Sequence, residues 1–318
     1  MPKRYIRTSG NYEIGFGHFF RSLALIELSE LGDWIMIHDG IPEFLLNTLD
    51  NYFITHLQIN ADRELLEIIE EKDILVIDKY NYPEDVVIAL LNKNVIIYRI
   101  DDLADGIING NYLINHAPNM SESNYNKKFN GQLLLGSEYL LIRKKLLENT
   151  KKRFCNKKET IKAIVCFGAS EHKELVFNSL KILNAFDRVN AIDLVSGKQS
   201  MYKPTFNLSK KLNNYSELNS NQLKMLFLNS DLAICSCSTI ALELYSNNLP
   251  LIVIKTDENQ NFLFNGLKQS AGVYCIDKID FIENSNFLEI LTKWYSELPE
   301  SLDRKLFEIN KIKTLFHE

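Results

Sequence analysis

Two stretches of this chain put groups capable of chemistry where an apolar strand gives way to a helix. The first is Ile14-Gly15-Phe16-Gly17-His18-Phe19-Phe20-Arg21. Gly15 and Gly17 let the backbone turn tightly and come close to a ligand. The first-turn amides of the helix that follows favour negative charge. His18 stands among them, and an imidazole can be tuned to take a proton near neutrality. A polar histidine beside a helix start is the plainer reading of the same residues. The second stretch is Ser236-Cys237-Ser238-Thr239, whose hydroxyls and amides could hold a diphosphate at a helix N-terminus without a metal. An ordinary N-cap would need only one of those hydroxyls. Glu243 lies four residues beyond Thr239, one too many for a capping box, and could accept hydrogen bonds from both hydroxyls of a ribose. Asn259-Gln260 offers amide donors and acceptors suited to the hydroxyl or acetamido groups of a sugar, and is equally ordinary in a loop.

The elements that must hold these groups are legible as alternation. A strand around Tyr5-Ile6-Arg7 leads into a helix on which Phe20, Leu23, Ala24, Leu28 and Leu31 recur at helical spacing and should face a core. Apolar strands at 34–37, 54–57, 74–77 and 95–98 alternate with helical patterns such as 63–70 and 83–91. That order predicts a parallel sheet with helices on both faces, with ligands bound beyond the carboxyl ends of the strands. Gly15 to His18, Asp78-Lys79-Tyr80 and Asp101-Asp102 all fall at such ends, where carboxylates serve equally as caps and loop acceptors. A Lys-, Arg-, Asn- and Thr-rich run at 149–160 marks a boundary, giving domains 1–150 and 151–318. The second half repeats the alternation. A strand at 161–167 runs into Gly168-Ala169-Ser170-Glu171, further strands are read at 191–195, 231–235 and 251–254, and a helix at 240–245. Helical patterns close the chain at 279–298 and 301–316, and the polar section 196–221 receives no element. The fold class expected is α/β, with two doubly wound Rossmann-like domains facing each other across a cleft.

The totals narrow the partners. A net charge of −5 argues against nucleic acid or an anionic membrane as a general partner. No apolar run approaches the ~20 residues that span a bilayer. The start Met1-Pro2-Lys3-Arg4 enters a strand without a signal-peptide core. The cysteines, Cys155, Cys166, Cys235, Cys237 and Cys275, are odd in number and scattered, as expected of reduced thiols in a cytoplasmic protein. Cys235-x-Cys237 lacks zinc half-site spacing and no second pair completes it, so neither a metal nor a cofactor is expected. His38, His56, His116 and His172 show no partner pattern, His317 is terminal, and Trp34 and Trp294 read as packing residues.

Taken in order, the stretches resemble the UDP-sugar hydrolases of pseudaminic acid biosynthesis, which are related to a spore-coat polysaccharide family and to GT-B glycosyltransferases. The resemblance rests on Glu13 to His18 with Arg21, Val76 to Tyr80, Ile100-Asp101-Asp102, Leu135 to Arg143, Cys166 to Ser170, Asp231 to Glu243, and Asn259-Gln260. It implies a GT-B-like fold and cleavage of a UDP-linked diacetamido-trideoxyhexose to free sugar and UDP. Water would attack the anomeric carbon with inversion and break the C–O bond. By the same resemblance His18 would be the general base and Tyr80 would assist near the water or sugar. Glu243 and Asn259 would contact the nucleotide sugar, with Gly15, Gly17, Arg21, Gly168, Ser170, Ser236, Ser238, Thr239 and Gln260 completing the site. The chain departs from the pattern at Lys79, where relatives often carry a second histidine. It also departs at Gly168-Ala169-Ser170-Glu171 and at Ser236-Cys237-Ser238, which stand for Gly-Gly-Ser-type turns. Two alternatives stay open. One is a GT-B glycosyltransferase of surface polysaccharide assembly, which an exposed apolar or basic patch on the first domain would favour. The other is a non-catalytic nucleotide-sugar binding protein.

Overall fold

Strands buried on both faces read as near-continuous apolar runs, and Ile74-Leu75-Val76-Ile77 is such a run, wholly buried in the middle of a parallel sheet. The structure, a computed structural model, describes residues 2–118, 120–148, 150–155, 158–168, 172–197, 202–304 and 310–316. The first sheet is formed by β1 (Arg4–Thr8), β2 (Trp34–His38), β3 (Thr55–Gln58), β4 (Ile74–Asp78), β5 (Ile96–Ile100), β6 (Tyr112–Asn115) and β7 (Gln132–Leu135). Every pairing is parallel, in the order β3-β2-β1-β4-β5-β6-β7. Helices α1 (Gly17–Ser29), α2 (Glu43–Asn51), α3 (Leu65–Ile68) and α4 (Glu84–Asn92) connect its early strands. Leu65, Ile69, Val86, Val87 and Leu90 pack with Leu75, Ile77 and Ile97 in one apolar cluster.

Beyond α5 (Lys144–Leu147) and the short strand β8 (Arg153–Phe154), the second sheet follows the same plan. Its strands are β9 (Ile161–Cys166), β10 (Val189–Ser196), β11 (Lys211–Ser216), β12 (Leu232–Ser236), β13 (Leu251–Lys255) and β14 (Val273–Asp277). They pair in parallel in the order β11-β10-β9-β12-β13-β14. The helices here are α6 (Lys173–Ala185), α7 (Ser220–Leu228), α8 (Thr239–Ser246), α9 (Asn261–Leu267), α10 (Lys278–Glu283) and α11 (Phe287–Ser296), and β15 (Ser301–Leu302) pairs antiparallel with β8. Each sheet therefore reverses its strand order once, between β1 and β4 in the first and between β9 and β12 in the second. Such a reversal opens a crevice at the carboxyl ends of the two strands.

The chain forms two compact units, one of Met1–Asn11, Phe16–Arg143 and Phe307–Glu318, the other of Tyr12–Gly15 and Lys144–Leu306. The division at Arg143/Lys144 lies a few residues before the one read from composition, and the last segment returns to the first unit. Hydrogen bonds hold it there. Lys311 N–H donates to the Glu138 carbonyl at 2.8 Å and the Asn310 amide to the Leu140 carbonyl at 2.9 Å, while the Phe316 ring meets Trp34 edge-on.

Three expected elements differ. The helical pattern at 301–316 is not one helix. It opens in β15 and ends in a 3-10 turn at Ile312–Thr314, with 305–309 outside the described residues. The pattern at 279–298 divides into α10 and α11 around Asn284. The core face of α1 is broader than its spacing suggested: His18, Phe19, Arg21, Ser22, Leu23, Ala24, Leu25, Ile26 and Ser29 are buried, whereas Phe20, Leu28 and Leu31 are half-buried. The reason is that α1 lies against both β1 and the returning turn Ile312–Thr314, so a second side of the helix is covered.

Candidate active site

His18 enters the helix from a turn that only glycine accommodates easily. Gly15 has φ +86°, a left-handed conformation costly for a residue with a Cβ, and α1 begins two residues later with no side chain capping its N-terminus. This places His18 at the carboxyl end of β1, directly beside the reversal point, where β4 ends in Asp78. His18 Nδ1 lies 2.6 Å from Asp78 Oδ1. An ionised carboxylate only accepts, so Nδ1–H donates to Asp78; Arg21 Nη2, 3.2 Å from the same nitrogen, directs its hydrogen to Asp78 instead, and in the neutral ring the lone pair is then on Nε2. Nε2 has no hydrogen-bond partner among the described residues and is not among their buried unpartnered atoms. The residue as a whole is 7% exposed.

Arg21, one turn further along α1, braces the pair. Its Nε donates to Asp78 Oδ2 at 2.9 Å and its Nη2 to Asp78 Oδ1 at 2.6 Å, a bidentate fork. Its Nη1 reaches both oxygens of Asp102, at 2.7 and 2.8 Å. Tyr80 OH donates to Asp102 Oδ2 at 2.7 Å, and its ring meets the His18 ring edge-on with centroids 4.5 Å apart. Burial alone would raise the Asp78 carboxyl, but Arg21 and His18 against it outweigh that and hold it well below the usual carboxylate range. Asp102 is likewise lowered, burial being overcome by Arg21 and then His116. Burial, then Asp102, push the Tyr80 phenol far above its ordinary value, so it stays a donor. Burial would lower Arg21, yet Asp102 and Asp78 keep it firmly cationic.

The strand-end carboxylates divide their labour in a way that spacing could not reveal. Asp101 is a loop tether, accepting from Ala104 N–H and from Tyr125 OH, both at 2.7 Å. Asp102, its neighbour, belongs to the His18 site. Lys79 takes no part there. Its Nζ pairs with Asp62 at 2.9 Å and Asp39 at 3.0 Å, carboxylates that also bind the buried Arg7. Alternation along the strand end explains this, since residues next to one another point to opposite faces. The sequence named Asp78 and Asp102 as strand-end groups and within the resemblance; what it missed is that they are the partners of His18, Arg21 and Tyr80.

In the second unit the small-residue turns also flank a reversal point. Gly168, just after β9, has φ +78° and open space where a Cβ would stand, so its backbone conformation is what calls for glycine. Ser170 lies outside the described residues. Ser236 ends β12, and its hydroxyl shares a hydrogen bond with Ser238 Oγ at 3.0 Å. Ser238 is the N-cap of α8 without capping it through its side chain, and Thr239 is half-buried as the first helical residue. The α8 amides thus receive no side-chain cap, as in α1. Cys237 is buried, its thiol pushed up by burial and turned toward the Gln260 carbonyl at 3.9 Å, so the turn is not crowded from that side. Glu243 is 2% exposed, one turn into α8. Asn259 and Gln260 lie in a 3-10 turn after β13. The Gln260 amide closes that loop, accepting from Thr256 N–H at 2.8 Å and donating to Thr256 Oγ1 at 2.9 Å. Among the described residues no group of His, Cys, Asp and Glu could hold a metal ion, and no helix is long and apolar enough to cross a membrane.

Two parallel-sheet Rossmann-like α/β domains, each with its polar turns at a strand-order reversal, define a GT-B-type fold. Solved structures of that kind match along nearly the whole chain. Acinetobacter baumannii MurG has a TM-score of 0.60 at 12% identity, covering 98% of this chain and 95% of its own. The spinosyn rhamnosyltransferase SpnG, solved with spinosyn aglycone, has a TM-score of 0.61 at 11% identity, covering 93% and 92%. A UDP-N-acetylglucosamine 2-epimerase has a TM-score of 0.59 at 12% identity, covering 98% and 94%. At these identities the likeness is one of fold. No protein-family model matches the chain. By sequence it is similar to the uncharacterised protein MJ1062 of Methanocaldococcus jannaschii, 25% identical over 276 residues, 80% of this chain; the chain spans 56% of that relative's length.

Proposed function

We propose that the protein is a nucleotide-sugar hydrolase that cleaves the bond between the anomeric carbon and the diphosphate, with His18 as general base on the attacking water. The observation that carries this is the 2.6 Å contact of His18 Nδ1 with Asp78, which fixes the tautomer whose Nε2 can accept a proton. Asp78 cannot itself take that proton at working pH, because Arg21 holds it ionised; its role is to orient the imidazole and steady the imidazolium that forms. Tyr80, whose O–H is donated to Asp102, stands beside the ring, where its phenol oxygen can accept a hydrogen bond from the water or sugar. In this reading the uncapped start of α8, with Ser236, Ser238 and Thr239, binds the diphosphate and stabilises the charge it gains on leaving. Glu243 and Asn259 are assigned to the nucleotide sugar, and Gly15, Gly17 and Gly168 to close backbone approach. Gln260 supports its loop. A UDP-linked diacetamido-trideoxyhexose is the substrate that the resemblance supports. The test is UDP release from that donor by wild type and His18→Ala. A fall of about 10^2- to 10^4-fold in kcat with unchanged melting is expected, and equal turnover removes His18 as the base.

A glycosyltransferase is the second reading, and one surface feature favours it. Phe53, in the first unit, is 92% exposed, with Tyr52 and Leu57 also exposed nearby in the chain. Apolar surface of this kind suits a protein that meets a lipid-linked acceptor. The names of the fold neighbours point the same way, one being a rhamnosyltransferase. Here the same Nε2 would deprotonate an acceptor hydroxyl, so UDP would be released only slowly until an acceptor is added, and the sugar would then end on the acceptor rather than free. Tight UDP binding with no turnover of any donor would instead favour a binding protein.

A further inference from the structure

Among the described residues His116 is the one other imidazole that belongs to the charged cluster around Arg21, and its wiring is the reverse of that of His18. It follows β6 and is buried, with Arg21, Asp102 and Asp78 as the charges that act on it. Its Nδ1 accepts a hydrogen bond from the backbone N–H of Leu141 at 3.2 Å. An acceptor nitrogen carries no proton, so the proton of the neutral ring resides on Nε2. Burial first, and then Arg21, lower its pKa to about 4, which keeps the ring neutral at working pH. Nε2 has no hydrogen-bond partner among the described residues, nor is it among their buried unpartnered atoms. The stretch that supplies the amide, Leu140 to Arg143, is part of a motif whose purpose was not evident from sequence. The result is two imidazoles about one guanidinium: His18 offers a lone pair, His116 an N–H.

We propose that His116 is a substrate-positioning residue, donating its Nε2–H to an uncharged oxygen of the sugar, a hydroxyl or an acetamido carbonyl. This rests on the nucleotide-sugar reading above. A neutral donor suits the place, because a further cation beside Arg21 would be repelled and a carboxylate would face Asp78 and Asp102. Two substitutions separate this role from mere packing. His116→Asn keeps an acceptor for Leu141 N–H but does not reach the Nε2 position, whereas His116→Gln places an amide donor there. His116→Asn should raise KM for the nucleotide sugar about tenfold, the worth of one good hydrogen bond, with kcat and the inhibition constant of free UDP little changed. His116→Gln should recover most of that KM. Wild-type KM in His116→Asn overturns the proposal while leaving a hydrolase that still turns over. If the wild type turns over no nucleotide sugar, the functional reading is what fails. Nitrogen-15 NMR of the ring then decides the donor assignment: protonation on Nε2 is expected, and on Nδ1 overturns it.

Discussion

Asp78 has no exposed surface, yet it is the residue on which the rest of the first site turns, because it receives both the His18 ring and two nitrogens of Arg21. Asp78→Asn keeps the shape but admits the wrong imidazole tautomer. It should lower kcat by about 10^2- to 10^4-fold with KM little altered, since the side chain cannot touch substrate. Asp78→Ala should do more damage to stability than to binding. It strips Arg21 of its bidentate partner and leaves buried positive charge poorly compensated, a loss of about 3–5 kcal/mol readable by urea unfolding. An unchanged urea midpoint would mean that Asp102 alone satisfies Arg21. In the sequence His18, Arg21 and Tyr80 could be singled out from their neighbours in the chain. That Asp78 and Asp102 are their partners could not be read, because the pairings join residues 22 to 81 positions apart. His116 was passed over for the same reason, its defining contact being a backbone amide 25 residues away.

Helix starts carry the second part of the account. Since Ser238 Oγ is engaged with Ser236 rather than with α8, a carboxylate in its place has two separable effects. Ser238→Asp should cap α8 and favour its dipole, raising stability by about 0.5–1 kcal/mol, yet fill the position proposed for the diphosphate. Weaker UDP binding by at least about tenfold, together with an equal or higher Tm, is the expected pair of results by calorimetry; unaltered UDP affinity would remove the diphosphate from this turn. Elements with buried, repetitive apolar faces were legible in sequence, β4 and β12 above all. Edge strands were legible only in part: β3 was read at 54–57, but β11 was not. β11, Lys-Leu-Asn-Asn-Tyr-Ser, pairs on one side only and has no buried face to impose a pattern. The closing segment looked helical because its apolar residues serve two places, Leu302 in β15 and Ile312 and Phe316 against the first unit.

For the molecule as a whole, two buried histidines set the response to acid. His38, through burial and then His56 and Arg7, and His116, through burial and then Arg21, both titrate at about 4 against an ordinary 6.5. The unfolded chain therefore binds protons that the folded one refuses. Stability is full above about 6.5 and is lost as pH falls toward 4, whereas the lowered carboxylates Asp39, Asp78 and Asp102 act only below that window. Tm followed from pH 7 to pH 4 should decline steadily rather than hold and collapse at the end; a flat profile would place both rings in wetter surroundings. The candidate groups lie beside the strand-order reversal of each sheet; the alternation of elements foretold the parallel sheets, while the fate of the sugar did not follow from it. Turnover in heavy-oxygen water addresses that fate directly. Attack by a His18-activated water on the anomeric carbon places one heavy oxygen in the released sugar and none in UDP. Heavy oxygen in the phosphate of UDP, or UDP release only when an acceptor is supplied, with the sugar on that acceptor, would contradict it.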